Sequence, residues 1–234
     1  VSRVDIILIP GFWLDASSWD RVAPALERAG HRVRRLTLPG LESVTADRSG
    51  ITLRDHVAAV VAAVDAVAGP VVLVGHSGGG ALAYAAADAR PDRVARIVYV
   101  DAGPLGPGQS INDQLPVVDG EIPLPDWSEF TEEELRDLDD ALRAEFRTRA
   151  VPQPAAVATD PQVLGEARRY DVPATIVCCE FTAEQIREWL AQGAPVVAEL
   201  AALRDVEYVD LPTGHWPQFT RPDELARVIL AAVR

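Results

Sequence analysis

Short apolar runs alternate along the chain with longer segments whose apolar residues recur at helical spacing. Val4–Ile9 is a β-rich run that stops at Pro10-Gly11, and Trp19–Ala29 reads as a helix closed by Gly30. His31–Leu38 predicts a second strand, Thr52–Ala68 a helix stopped by Gly69-Pro70, and Val71–Val74 a strand buried on both faces. Ala81–Arg90 predicts an Ala-rich helix and Val94–Val100 another buried strand. Ala174–Cys179 and Val206–Leu211 are the last strand-like runs, and Asp223–Val233 is the last helical one. Such alternation predicts an α/β fold: a mostly parallel, twisted sheet flanked by helices, with residues 1–234 forming one domain.

One stretch interrupts the alternation. Gly103–Asp171 contains no convincing strand and is rich in proline at first. It then gives a charged amphipathic helix over Thr131–Ala150, with Thr131 and Glu134 spaced as a capping box. An insertion between sheet strands predicts a small helical lid over approximately residues 104–170.

Charge narrows the partners. The 35 acidic residues outnumber the 22 basic ones, for a formal charge of −13. No basic cluster offers a footprint for nucleic acid, and an anionic membrane surface would repel the chain. No apolar stretch is long enough to cross a bilayer. Cys178 and Cys179 are adjacent, which strains any bridge between them, so two thiols in a reduced compartment are expected. No signal peptide precedes the first strand-like run, and the expected location is cytoplasmic. The motifs for phosphate-, dinucleotide-, zinc- and calcium-binding loops are absent, so neither cofactor nor metal is expected.

The chemistry concentrates at Gly75-His76-Ser77-Gly78-Gly79, which matches G-x-S-x-G. It directly follows one predicted strand and directly precedes a predicted helix. A nucleophile there occupies a tight, strained turn, and its flanking positions require glycine because a Cβ would meet neighbouring backbone. An incidental serine in a glycine-rich turn is the competing reading. A serine hydroxyl needs a base. His31 is expected to be partly exposed, His56 to lie on a helix surface or its packing face, and His76 to position the turn. His215, in a Pro- and Gly-containing loop after the last strand, is the candidate base. The amides of Phe12 and Gly78 are candidates for an oxyanion hole, the first from the loop Pro10–Trp13, the second from a helix N-terminus.

With these motifs the chain resembles the α/β-hydrolase fold family, and specifically small serine esterases related to plant methylesterases and hydroxynitrile lyases. That resemblance implies a triad acid after the penultimate strand, but Thr182 stands where aspartate is expected. Asp101, at the end of Val94–Val100, is the preferred acid, because some relatives carry theirs at that strand end; Glu180 is the alternative. A turn-capping role for Asp101 competes. Trp13, Trp127, Phe130 and Trp216 are candidate substrate contacts, although lid aromatics more commonly anchor a lid to the body.

The expected activity is hydrolysis of a carboxylic ester or lactone of a small to medium apolar molecule. A lyase or C–C hydrolase on the same site is the alternative, weakened by the absence of lysine from the whole chain. A small-ligand-binding protein with vestigial activity is the third. The oligomeric state is left open by the sequence.

Overall fold

Runs of β-branched residues form the strands, and their alternation decides which side chains face which helix layer. In the structure, a computed structural model describing residues 3–233, the strands are β1 (Asp5–Ile9), β2 (Arg32–Arg35), β3 (Val71–His76), β4 (Val94–Val100), β5 (Glu121–Ile122), β6 (Gln153–Pro154), β7 (Ala174–Cys178) and β8 (Val206–Asp210). The helices are α1 (Ala23–Arg28), α2 (Leu53–Asp65), α3 (Gly78–Ala89), α4 (Asp140–Arg149), α5 (Ala155–Thr159), α6 (Ala183–Ala191), α7 (Ala198–Ala202), α8 (Pro217–Thr220) and α9 (Pro222–Ala232). Six strands form one sheet in the order β2-β1-β3-β4-β7-β8, all paired in parallel.

Two apolar layers sandwich this sheet. Ile7 and Ile9 of β1, Leu73 of β3 and Ile176 of β7 face α2 and α3, burying Val60, Val64 and Leu82. The alternate residues Ile6, Leu8, Val72, Val74, Val98 and Val100 face the other way, onto Trp19, Leu26 of α1 and Leu225 and Ile229 of α9. Each fully buried aliphatic side chain contributes about 1.5–3 kcal/mol of transfer free energy. The central strand β3 is buried along its whole length, whereas β2 is a largely exposed edge strand carrying three arginines, which discourages pairing with another chain. The register sets Ile9 beside Gly75, His76 beside Val100, Val100 beside Val177 and Cys178 beside Asp210. The carboxyl ends of five strands therefore converge on one edge.

Several predicted elements differ. The first helix is shorter than Trp19–Ala29: a 3-10 turn ends at Trp19 and α1 starts only at Ala23, with Pro24 at its second position. Helix α3 begins at Gly78, inside the glycine run, rather than at Ala81. The predicted helix Thr131–Ala150 is helical only over Asp140–Arg149, residues 132–137 forming turns instead. The Thr131–Glu134 capping box forms, but Asp137 takes φ +64°, and α4 starts afresh with Asp139 as its cap. The insertion contains the β5–β6 pair, where no strand was expected, because it is only two residues on each side. His31 is buried rather than partly exposed, its Nδ1 accepting from the Val4 amide at 3.3 Å. His56 is likewise fully buried, Nε2 lying 2.8 Å from the Pro39 carbonyl.

The insertion attaches through a third apolar cluster of Trp13, Leu14, Ile122, Leu138, Phe146, Trp216 and Phe219. Phe146 of α4 is fully buried, with ring centroids 5.2 Å from Trp216 and 5.5 Å from Phe219 and Trp127. Phe146→Ala is expected to cost about 3–5 kcal/mol, read from the urea midpoint at unchanged slope; a loss under about 1 kcal/mol would mean the insertion does not depend on this cluster.

Candidate active site

The turn between β3 and α3 is shaped by steric exclusion. A Cβ on Gly75 would stand 2.5 Å from the Gly79 carbonyl oxygen and 2.7 Å from the Gly80 nitrogen. With glycine there, Ser77 adopts φ +51°, ψ −123°, a conformation that L side chains rarely take and that costs on the order of 1–3 kcal/mol. It is held by the Ser77 amide donating to Val100 and the Gly80 amide donating back to Ser77. Of five non-glycine residues with positive φ among those described, three surround this site: Trp13, Ser77 and Asp101.

His215 Nε2 lies 2.8 Å from Ser77 Oγ, and its Nδ1 lies 2.7 Å from Asp101 Oδ2. Glu180 Oε1 stands 2.6 Å from that same Nδ1. Both carboxyls named from the sequence thus reach the imidazole. They differ in their other partners. Asp101 Oδ1 accepts from the amides of Cys179 and Glu180, at 3.1 and 3.0 Å. Burial penalises the Asp101 charge, but His215 and those donors outweigh it and lower its pKa to about 2. Burial instead dominates at Glu180, and with the Asp101 charge beside it raises that pKa to about 7. At His215 burial favours the neutral ring, yet hydrogen bonds to the two carboxyls prevail and raise it to about 10.

The His215 loop is anchored on both sides. Its carbonyl lies 2.6 Å from His76 Nε2, and Gln218 Nε2 lies 3.2 Å from His76 Nδ1. Gln218 can donate there only if Nδ1 accepts, so the His76 proton sits on Nε2 and points at His215. On the other side, the amides of Gly214 and His215 donate to the carbonyls of Arg136 and Glu134, in the insertion's turn segment 132–137. A Cβ on Gly214 would run into those same carbonyls.

A cavity of about 640 Å³ opens over Ser77 and His215. Phe12, Trp13, Ile111, Leu115, Phe130 and Trp216 form its apolar wall, with Asn112, Gln114 and Glu129 among its polar groups. Trp127 does not line it. Its ring packs instead on Phe130, Phe146 and Trp216, with the Arg147 guanidinium 5.1 Å from its centroid. The expected substrate contact at Trp127 is therefore corrected to an anchor of the insertion. Trp13 is pinned by its indole donating to Ile122 and its amide to Gln153 Oε1, so the β5–β6 pair holds the loop that carries Phe12. Among the described residues, neither the Phe12 nor the Gly78 amide donates to a protein acceptor. The anchoring of this loop by Gln153 and of the His215 loop by Gln218 carries no sequence signal, because each contact spans more than a hundred residues.

Asp101, Glu180 and His215 are also the one group among the described residues that could offer three metal ligands, with ligand atoms within 4.8 Å. The histidine ligand would be Nδ1, which here carries the proton shared with carboxylates while Nε2 faces serine; this donor set fits an acid–base relay better than an ion. Cys178 and Cys179 are free and buried, and burial pushes the Cys178 thiol up to about 12. No helix among the described residues is long and apolar enough to cross a membrane.

Residues 6–228 match the family described as "Alpha/beta hydrolase family". Among characterised proteins, Esterase PIR7B of Oryza sativa subsp. japonica is 38% identical over 106 residues, 43% of this chain and 39% of that one. The carbendazim hydrolyzing esterase of Nocardioides sp. (strain SG-4G) is 32% identical over 114 residues, 48% of this chain and 47% of its own. The chain thus spans less than half the length of these relatives. Among solved structures, an extracellular alpha/beta-hydrolase from a Paenibacillus species superposes with a TM-score of 0.78 at 23% identity, over 98% of both chains.

The buried His76 makes a pH prediction. Burial and the neighbouring His215 charge push its pKa down to about 3. Below the unfolded value of about 6.5 the unfolded chain takes up a proton that folded His76 refuses, so this residue's contribution to stability falls as pH drops from 6.5 towards 3. His76→Gln should therefore lose less stability than wild type over that range in urea titrations; parallel curves would show that His76 is not held neutral.

Proposed function

Because the chain belongs to the Alpha/beta hydrolase family, we propose that it is a serine hydrolase cleaving a carboxylic ester or lactone of a small to medium apolar molecule through an acyl-enzyme. The observation that carries this reading is the continuous contact from Ser77 Oγ through both nitrogens of His215 to Asp101. Ser77 Oγ attacks the carbonyl carbon while His215 Nε2 takes its proton. The oxyanion that forms accepts from the Phe12 and Gly78 amides, each such donor being worth about 10²–10³ in rate. His215 then protonates the leaving alcohol, and water resolves the acyl-enzyme by the same steps in reverse. Asp101 holds the imidazole in the tautomer with Nε2 free and stabilises the imidazolium.

The cavity's size and aromatic wall support an apolar substrate that fits within about 640 Å³. Trp13, Phe130 and Trp216 are the proposed contacts, and the insertion is the proposed lid. The names of two relatives, a carbendazim hydrolyzing esterase and a pyrethroid hydrolase, support hydrolysis of a small-molecule ester. A small-molecule substrate, a single domain and a cytoplasmic location complete the proposal, the last supported by the two free thiols.

A fluorophosphonate probe should label Ser77 and fail on Ser77→Ala. Chromogenic esters of increasing acyl length should be turned over, and Asp101→Asn should lower kcat by about 10⁴ through the wrong tautomer. Labelling without ester turnover would favour the lyase or C–C hydrolase reading, and resistance to labelling the binding-protein reading. An Asp101→Asn loss of only a few-fold would remove Asp101 from the relay.

A further inference from the structure

His215 Nδ1 carries at most one hydrogen, yet two carboxyl oxygens lie within 2.7 Å of it. Two ionised carboxylates brought this close repel strongly in a buried site, so one of them holds a proton more readily than an isolated acid. The surroundings decide which. Asp101 Oδ1 takes two backbone amides in addition to the imidazole contact at Oδ2. Glu180 accepts from no backbone amide among the described residues, and its side chain is 12% exposed. No arginine forms an ion pair with either carboxylate among those residues.

The charged and titratable groups around the pair are few. Asp101 comes from the end of β4, His215 from the loop after β8 and His76 from the end of β3, its ring centroid 5.1 Å from that of His215. Cys178 and Cys179 adjoin from β7 and the turn after it, both held neutral by burial. Asp210, at the end of β8, is turned to the Ala183 amide, and Arg187 of α6 acts on the Cys178 side. Among the described residues, His215 is thus the one basic group positioned against both carboxyls.

We propose that Glu180 is a second carboxyl of the relay, exchanging a proton with His215 and so setting how much of the imidazole faces Ser77 in its basic form. The inference rests on the serine-hydrolase reading for its consequence, though not for its geometry. With one dissociable proton in the cluster, two arrangements of equal total charge compete. In one, Glu180 is a neutral acid and His215 keeps only its Nδ1 hydrogen, leaving Nε2 free to accept from Ser77. In the other, Glu180 has released its proton to water and Nε2 has taken one up from water on the Ser77 side, so that Glu180 is a carboxylate and the ring an imidazolium. During attack the Ser77 O–H bond breaks, its proton passes to Nε2 and the Oγ–carbon bond forms; Glu180 keeps its own proton throughout. Once Glu180 ionises, a second negative charge beside Nδ1 strengthens the imidazolium and withdraws the base.

A separate route lets this group titrate. Asp101 and Glu180 line a second cavity of about 230 Å³, walled by Phe181, Ile186, Trp189 and Leu200, that shares no residue with the cavity over Ser77. Glu180 can exchange protons there while an ester fills the larger space. Glu180 is a positioning residue in this scheme, since it acts on the substrate only through His215.

The test compares kcat/KM against pH for wild type and Glu180→Gln with p-nitrophenyl acetate, read at the isosbestic wavelength. Glutamine keeps the shape and removes the charge. The acid limb of the profile should move down by at least about one pH unit, raising activity about fivefold or more, relative to the plateau, at a pH one unit below the wild-type limb. Two profiles that differ only by a constant factor would overturn the proposal, since a merely packing residue scales the rate without moving the limb. The His215 Cε1–H resonance, followed by NMR across the same pH range in protein with labelled histidine, needs no turnover. Wild type should show two inflections, one from the ring and one from Glu180; a single inflection would overturn the proposal even if Glu180→Gln does not fold. If no ester is hydrolysed and no fluorophosphonate bound, the serine-hydrolase reading fails, and the NMR titration alone still decides the role of Glu180.

Discussion

The closeness of β3 to the start of α3 governs the arrangement of this protein. Gly75 sits so near the Gly79–Gly80 peptide that only a hydrogen fits between them, and the chain turns from strand to helix with a single residue at positive φ. That residue is Ser77. Its backbone strain is supported by β3 lying at the middle of the sheet, buried throughout and paired on both sides. A turn of this kind on an edge strand would relax by shifting the strand; here the neighbours β1 and β4 prevent it. The same crowding places the Gly78 amide at a helix N-terminus beside the serine oxygen, where the helix dipole favours a negative charge.

The partners of Ser77 come from strands further along the same edge. Asp101 closes β4, Glu180 follows β7 and His215 follows β8, so parallel pairing alone brings their backbones to one rim. Parallel pairing does not aim the side chains. Asp101 is turned inward by its positive φ, and His215 is fixed by His76 and Gln218 on one side and by the insertion's carbonyls on the other. The insertion therefore does more than cover a cavity. Through Gly214 and His215 it holds the imidazole loop, and through Trp13 and Gln153 it holds the loop of Phe12. An insertion this integrated is expected to move as local segments over the aromatic cluster, because wholesale opening would break both anchors together.

The sequence expressed the sheet far better than the insertion, and the reason is the range over which each is determined. Val94–Val100 was readable to the residue because five of its seven side chains, Val94 and Ile97–Val100, are aliphatic or aromatic and buried between two helix layers. The elbow was readable because its first glycine, Gly75, is demanded by contacts within five residues. The break at Asp137 was not, since the local pattern favours a continuous helix; it is the Gly214 and His215 amides, far away in sequence, that take the carbonyls of Glu134 and Arg136 and leave the turn unable to propagate. The two-residue strands β5 and β6 lack any periodicity to detect. For the aromatic residues, composition marked Trp127, Phe130 and Trp216 alike, while only three-dimensional packing separates a cavity wall from the anchor behind it.

The carboxyls show the same limit in electrostatic form. Thr182 marks a departure from the resembled family's pattern, and two acids were readable as substitutes, Asp101 and Glu180. Treating them as rivals assumed that the imidazole has room for one. The Nδ1 contacts at 2.7 and 2.6 Å show that it has room for both, provided the pair does not carry two full charges at once. Backbone amides then sort them: two donors make Asp101 the better anion, and their absence leaves Glu180 the better holder of a proton. The proposed relay has a carboxyl at both strand ends, Asp101 closing β4 and Glu180 after β7, two residues before Thr182. Which strand bears the acid is in this light a matter of which carboxyl the backbone solvates, a property of the turn after β7 rather than of either side chain.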